Sequence, residues 1–140
     1  MRIRAALVLS LLAAPALAAD WPDLRGTWKG TSRAVTMGEG GHYGATDGKT
    51  PVFSEVELTI EFTDQKDGRL FGTISSAHHR EPKLAVISVD QQLVVTADGD
   101  GQSVGKLIDD DHLELCYTQT SSADSQMIAS CVLFERQRGG

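Results

Sequence analysis

From Glu55 to Phe62 the chain alternates without a break. Val56, Leu58, Ile60 and Phe62 share one parity; Glu55, Glu57, Thr59 and Glu61 share the other. A period of two marks a strand with one buried face and one wet face, and a helix does not produce it. Such a strand cannot stand alone, because its apolar face has to be covered by more sheet or another layer. The rest of the chain is therefore constrained to supply that cover.

The remaining segments read as strands. The first runs from Gly26 to Ala34, where Thr27, Trp28 and Thr31 favour extended backbone. Pro22, within Asp20–Asp23, blocks ladder pairing just before it. After the alternating strand, Gln65-Lys66-Asp67-Gly68 is a turn and Arg69–Ala77 a third strand. Pairing Phe62 with Leu70 sets Ile60 against Gly72, Leu58 against Ile74 and Val56 against Ser76, so apolar and small residues share one face while Phe71, Thr73 and Ser75 face out. Ala77–Pro82 is a loop and Lys83–Val89 a fourth strand. Leu93–Ala97 and Ser103–Ile108 follow, separated by the turn Asp98-Gly99-Asp100-Gly101. The last two strands are His112–Thr120 and Gln126–Arg136. No segment carries a helical period. Eight short strands, mostly joined by tight turns, predict an all-β, eight-stranded antiparallel up-and-down barrel.

The final hairpin can be tested by arithmetic. With its turn at Ala123-Asp124, Leu113 faces Phe134 and Leu115 faces Val132, and on the opposite face Cys116 lands opposite Cys131. Directly paired residues in an antiparallel ladder lie within disulfide range. One register satisfies both the core and a bridge, and the bridge closes a loop worth about 3 kcal/mol. With two cysteines in the chain, one disulfide uses both.

A disulfide implies an oxidising compartment, and the N-terminus agrees. Met1-Arg2-Ile3-Arg4 is basic, Ala5–Ala14 is apolar, and Pro15-Ala16-Leu17-Ala18 ends in small residues. This is the pattern of a secretory signal peptide, residues 1–18, cleaved after Ala18. Its apolar run is about half of what a membrane-spanning helix needs, so stable membrane insertion is not expected. The barrel would then occupy residues 19–140, and the mature protein would be periplasmic or secreted. Of 13 basic residues, removing Arg2 and Arg4 leaves 11 against 19 acidic ones, a net charge of −8. That sign repels phosphate backbones and excludes nucleic acid as a natural partner.

Leu24-x-Gly26-Thr27-Trp28 resembles the first-strand signature of the calycin superfamily, which includes lipocalins and avidins. Asp67-Gly68-x-Leu70-x-Gly72-Thr73-x-x-Ser76-Ala77 resembles the second hairpin of bacterial avidins. The resemblance implies a barrel closed at one end by a Trp covered by an Arg, here Trp28 and Arg136. It does not carry over biotin: Gly30 and Ile74 stand where avidins resemble one another in polar and Tyr residues, and only Ser76 matches. Small secreted barrels with one disulfide also resemble bacterial metalloprotease inhibitors. That likeness would make Ala19–Asp23 an inhibitory arm and an envelope hydrolase the partner.

The topology gathers the remaining chemistry at the other, open mouth. Thr36–Pro51 holds Gly38, Gly40, Gly41, Gly44 and Gly48 and reads as a long loop of the kind that is either functional or disordered. It brings His42 and Tyr43 there. The loop after the third strand brings His78, His79, Arg80 and Glu81, and the following turn brings Asp98 and Asp100. Ser76 and Tyr117 line the wall. Barrel mouths take small ligands, so His42, Tyr43, Ser76, His78, His79 and Tyr117 are the expected ligand-binding residues for an apolar or amphipathic molecule. Imidazoles and carboxylates also suit zinc or copper, with His42, His78 and His79 as the candidates. Adjacent strand residues point to opposite faces, so His78 and His79 cannot share one ion unless the loop bends. No nucleophile triad, paired-carboxylate motif or phosphate loop is present, and neither catalysis nor a cofactor is expected. His78 or His79 beside Glu81 offers acid–base chemistry only in the generic sense. Asp109–Asp111 lacks the spacing of a calcium loop and reads as a solvated turn.

Overall fold

A computed structural model describes residues 20–121 and 126–139. The expected signal peptide and the turn at Ala123-Asp124 lie outside these residues. Eight strands close into one antiparallel barrel: β1 (Gly26–Met37), β4 (Val52–Lys66), β5 (Arg69–Ser75), β6 (Arg80–Ile87), β7 (Val94–Ala97), β8 (Gln102–Asp109), β9 (His112–Ser121) and β10 (Gln126–Gln137). Each pairs with its neighbours in sequence, and β1 closes the ring against β10. Among the described residues there is no helix.

The alternating stretch behaves as its parity requires. Leu58, Ile60 and Phe62 are buried, while their odd-numbered neighbours on β4 face outward or are half-exposed. The last hairpin has the expected register: Leu113 pairs with Phe134, Leu115 with Val132 and Cys116 with Cys131. The two cysteines form a disulfide across Cα atoms 4.0 Å apart, on the outer face of the wall.

Three expectations are corrected. The β4–β5 register differs by two: Ile60 pairs with Ile74 and Phe62 with Gly72, not with Gly72 and Leu70. Two local features cause this. Asp67 and Gly68 both adopt positive φ, 51° and 73°, which makes a two-residue turn of the mirror-image type whose twist suits hairpins. Lys66 then pairs with Arg69, and an extra residue at Thr63 bulges the strand between Phe62 and Asp64. Second, β6 begins at Arg80, so Pro82 lies in a strand. Pairing with β7 starts only at Leu84, so Pro82 has β5 alone beside it and no ladder donor is missed. Third, the Thr36–Pro51 loop is shorter than expected and not all loop: β1 runs on to Met37, and β2 (Glu39–Gly40) and β3 (Gly44–Ala45) form a separate small hairpin.

The core fills the barrel from its closed end. Leu24, Trp28, Ile60, Phe62, Leu113 and Phe134 are almost completely buried. The Trp28 indole N–H donates to the Leu24 carbonyl at 2.9 Å, and the Arg136 guanidinium lies 4.1 Å from the Trp28 ring centroid. Arg136 also donates to the carbonyls of Asp23, Arg25 and Asp110 at 2.7–2.8 Å. The segment preceding β1 is thereby strapped across this end. Gln65 reinforces it, accepting from Leu24 N–H and donating to the Pro22 carbonyl, while the Trp21 ring packs over Gly68. Asp20–Asp23 is thus docked on the barrel floor rather than extended as an arm.

Candidate functional site

At the open end the inward parity turns polar. The same parity that buries Trp28 on β1 buries Ser32 and Thr36, and the parity of Val132 and Phe134 on β10 buries Ser130. On β6 it buries Lys83 with Ala85 and Ile87. Buried polar groups need partners, and these are found within the mouth.

The β2–β3 hairpin supplies the first set. Its turn residue Tyr43 reaches down into the mouth, where its hydroxyl meets Ser32 Oγ at 2.7 Å and Ser130 Oγ at 2.9 Å. The hairpin holds itself together through Tyr43 N–H to the Gly40 carbonyl and Thr46 N–H to the Gly38 carbonyl. The second set is an ion pair. Lys83 Nζ donates to Asp98 Oδ2 at 2.7 Å, with side chains 1% and 3% exposed. The Tyr117 ring lies 5.5 Å from Lys83 Nζ, and its hydroxyl donates to Gln119 Oε1 at 2.9 Å. Burial first, and then the negative charges of Asp98, Glu81 and Asp100, push the Tyr117 phenol well above its ordinary range.

The third set holds the histidines. His42 Nδ1 lies 3.0 Å from Ser76 Oγ, and His42 Nε2 lies 3.2 Å from Glu81 Oε1. His79 Nε2 lies 3.8 Å from the same carboxylate oxygen. The two imidazoles meet edge to face, with centroids 4.9 Å apart. Ser76 Oγ also accepts from the backbone N–H groups of His78 and His79, which bends the β5–β6 loop. Glu81 Oε2 accepts from Gly99 N–H at 3.1 Å. Burial lowers the His42 pKa from its ordinary value, and the neighbouring Glu81 charge opposes that shift.

Of the residues expected at the mouth, His42, Tyr43, Ser76, His79 and Tyr117 converge there, and His78 points to solvent. Glu81 takes the place beside the other two histidines, and a metal ion has His42, His79 and Glu81 to choose from, their ligand atoms all within 4.8 Å of one another. Sequence reasoning passed over Lys83, Ser32 and Ser130. Their signal was parity: each alternates in step with core residues on its own strand.

These groups roof a small cavity of about 30 Å³. Its walls are apolar below, with Leu58, Ile60, Ile74 and Leu115, and polar above, with Tyr43, Lys83, Asp98, Ser103, Tyr117 and Ser130. The space suits a water or two and is roughly a tenth of the volume of the smallest ordinary ligand pockets. Beside Ser103 in the ladder, the buried Thr96 hydroxyl has no hydrogen-bond partner among the described residues.

No protein-family model matches the sequence, and no curated protein matches it. Solved structures do. The chain is similar in fold to EF1p2_mFAP2b bound to DFHBI, at 10% identity and a TM-score of 0.51, over 81% of this chain and 94% of that one. It also matches a protein of unknown function from the DUF3598 family of Nostoc punctiforme PCC 73102, at 19% identity and a TM-score of 0.46, over 81% of this chain and 48% of that one, so it spans about half the length of that protein. At 10% identity the likeness to EF1p2_mFAP2b is one of fold alone, and that fold is the closed eight-stranded antiparallel barrel described above.

Proposed function

We propose that this protein is an exported, calycin-like barrel that binds a small amphipathic molecule at its open mouth, with the β2–β3 hairpin as the lid. The observation that carries the reading is the cavity under Tyr43, where an apolar floor meets a ring of convergent polar side chains. Ligand sites share that composition, apolar walls with a few placed polar groups. The unpartnered Thr96 hydroxyl adds a polar group inside the wall. The volume beneath the lid is too small for a drug-sized molecule, so the ligand takes the space that the Tyr43 side chain fills here. The lid can leave: β2 and β3 form their own two-stranded sheet rather than part of the barrel ladder. Side chains, chiefly His42 and Tyr43, tie it down. The similar barrel EF1p2_mFAP2b is bound to DFHBI, which supports a small organic ligand in this architecture by analogy of fold alone. The disulfide and the signal-like N-terminus support export.

Native mass spectrometry of protein purified from the cell envelope, with nothing added, tests this reading. A co-purifying organic mass on the wild type is the expected result. In parallel, Tyr43→Ala opens the lid, and its titration with the amphipathic dye 1-anilinonaphthalene-8-sulfonate is expected to be saturable, one dye per chain. The bare mass of the oxidised chain together with no saturable dye binding by Tyr43→Ala would overturn it.

A further inference from the structure

We propose that His42, His79 and Glu81 form a site for a divalent transition metal of the zinc class, which clasps the β2–β3 hairpin to the barrel wall. This site stands on its own geometry and does not depend on the lumen taking an organic ligand.

Three segments supply the ligands: the β2–β3 turn carries His42, the β5–β6 loop carries His79, and β6 carries Glu81. Zinc binds imidazole nitrogen and carboxylate oxygen at roughly 2.0–2.2 Å in tetrahedral geometry, so its ligand atoms sit about 3.3 Å apart. His42 Nε2 and Glu81 Oε1 are 3.2 Å apart, His79 Nε2 and the same oxygen 3.8 Å. All three ligand atoms fit within 4.8 Å, so side-chain adjustments of under about 1 Å complete the set. Two imidazoles and one carboxylate leave a fourth position for water, and this is the donor chemistry that zinc and its neighbours prefer.

The surroundings favour an ion over a purely structural hydrogen bond. Glu81 Oε1 is shared between two imidazoles, yet His79 Nε2 lies beyond hydrogen-bond reach of it. A cation among the three would satisfy both rings at once. The ligands are also braced from behind, as metal ligands commonly are. Ser76 Oγ sits on His42 Nδ1, and Gly99 N–H holds the other Glu81 oxygen. Gly41 lies flush against His79, where an added Cβ would come within 3.1 Å of the ring, so the hairpin tip itself fixes that imidazole. His42 and Glu81 side chains are about nine-tenths buried, while His79 is 37% exposed, which leaves a route from solvent. Asp100 adds negative charge to the mouth, while Lys83 is neutralised there by its ion pair with Asp98.

The test is titration of the whole mature protein with Zn²⁺ by calorimetry, and with Co²⁺ followed by visible absorption. The expected result is saturable one-to-one zinc binding, with cobalt giving the intense bands of a four- or five-coordinate ion. His79→Ala, at the most exposed ligand and least harmful to folding, should lower zinc affinity by more than about 100-fold, beyond the effect of losing an outer partner. Glu81→Gln should match it, and Ser76→Ala should cost about tenfold. His78→Ala should change nothing. Zinc should also slow amide exchange across Gly38–Thr46 in the wild type and not in His79→Ala. Absence of saturable zinc binding by the wild type would overturn the proposal. So would equal losses in His78→Ala and His79→Ala, or unaltered binding in His79→Ala and Glu81→Gln.

Discussion

Lys83 and Asp98 face each other inside the barrel, Nζ to Oδ2 2.7 Å, and both side chains are almost wholly removed from water. Asp98 is held from the far side as well: Gly101 N–H donates to its other oxygen at 2.8 Å, fixing the β7–β8 turn. Removing one member of a buried pair strands the other, at a cost of about 3–5 kcal/mol. Lys83→Met should therefore lower unfolding stability by that amount in urea titrations. The double variant Lys83→Met/Asp98→Asn should lose much less than the sum of the two single changes, because no uncompensated charge is left.

The Cys116–Cys131 bridge spans 15 residues between directly paired strands. Since both cysteines face outward, serine replacements leave no internal void. Cys116→Ser/Cys131→Ser should lose about 3 kcal/mol, by restoring freedom to the unfolded chain. Adding reductant to the wild type should reproduce that loss, and should leave the double variant unchanged.

At the closed end Arg136 performs two tasks at once, covering the Trp28 ring and binding three carbonyls. Arg136→Ala should cost about 3 kcal/mol from charge-assisted hydrogen bonds and the lost cation–π contact together. Trp28 fluorescence should shift to the red as water reaches the ring. Arg136→Lys should recover under half of the loss, since an ammonium cannot reproduce the planar fork.

His42 sits among Glu81, His79, Asp98 and Ser76, and burial lowers its pKa. A histidine kept neutral in the fold binds fewer protons than in the unfolded chain below about pH 6.5. Its contribution to stability is therefore complete above that pH and lost as the pH falls through the window between the unfolded value and the lower folded one. Proton NMR should place the His42 midpoint below that of a free imidazole, and that of the exposed His112 above it, because Asp109 binds its ring. Amide exchange at the β2–β3 hairpin should quicken as the pH drops through the same window. His42→Gln should flatten that dependence.

Parts of this molecule were legible in its residue order, and the limits fall at identifiable places. Parity located the inner face of the strands that alternate cleanly, those of Leu58–Phe62, Leu70–Ile74, Leu113–Leu115 and Val132–Phe134, and the same rule, left unapplied on β6, holds for the odd-numbered Lys83 with Ala85 and Ile87. Pairing of Cys116 with Cys131 followed from one register that served the core as well. Parity is blind to shifts of two, however, and the β4–β5 ladder slid by that amount when Asp67-Gly68 took a tight turn and Thr63 bulged. The hairpin inside Thr36–Pro51 was illegible for another reason: two strands of two residues carry no period to detect.

The amino-acid order alone determined the class of fold, the inward and outward faces of the cleanly alternating strands and the disulfide, because each depends on a period of two and on turns a few residues long. It also identified the end of the barrel where the polar chemistry gathers, since alternate loops of an up-and-down barrel share an end. Which polar groups meet there was decided only by closure of the barrel. Closure set Glu81 rather than His78 against His42 and His79, and brought Tyr43 onto Ser32 and Ser130. The physical reason is distance along the chain. Those contacts join residues from 11 to 87 positions apart, and their geometry depends on how far each strand tilts and slips around the ring.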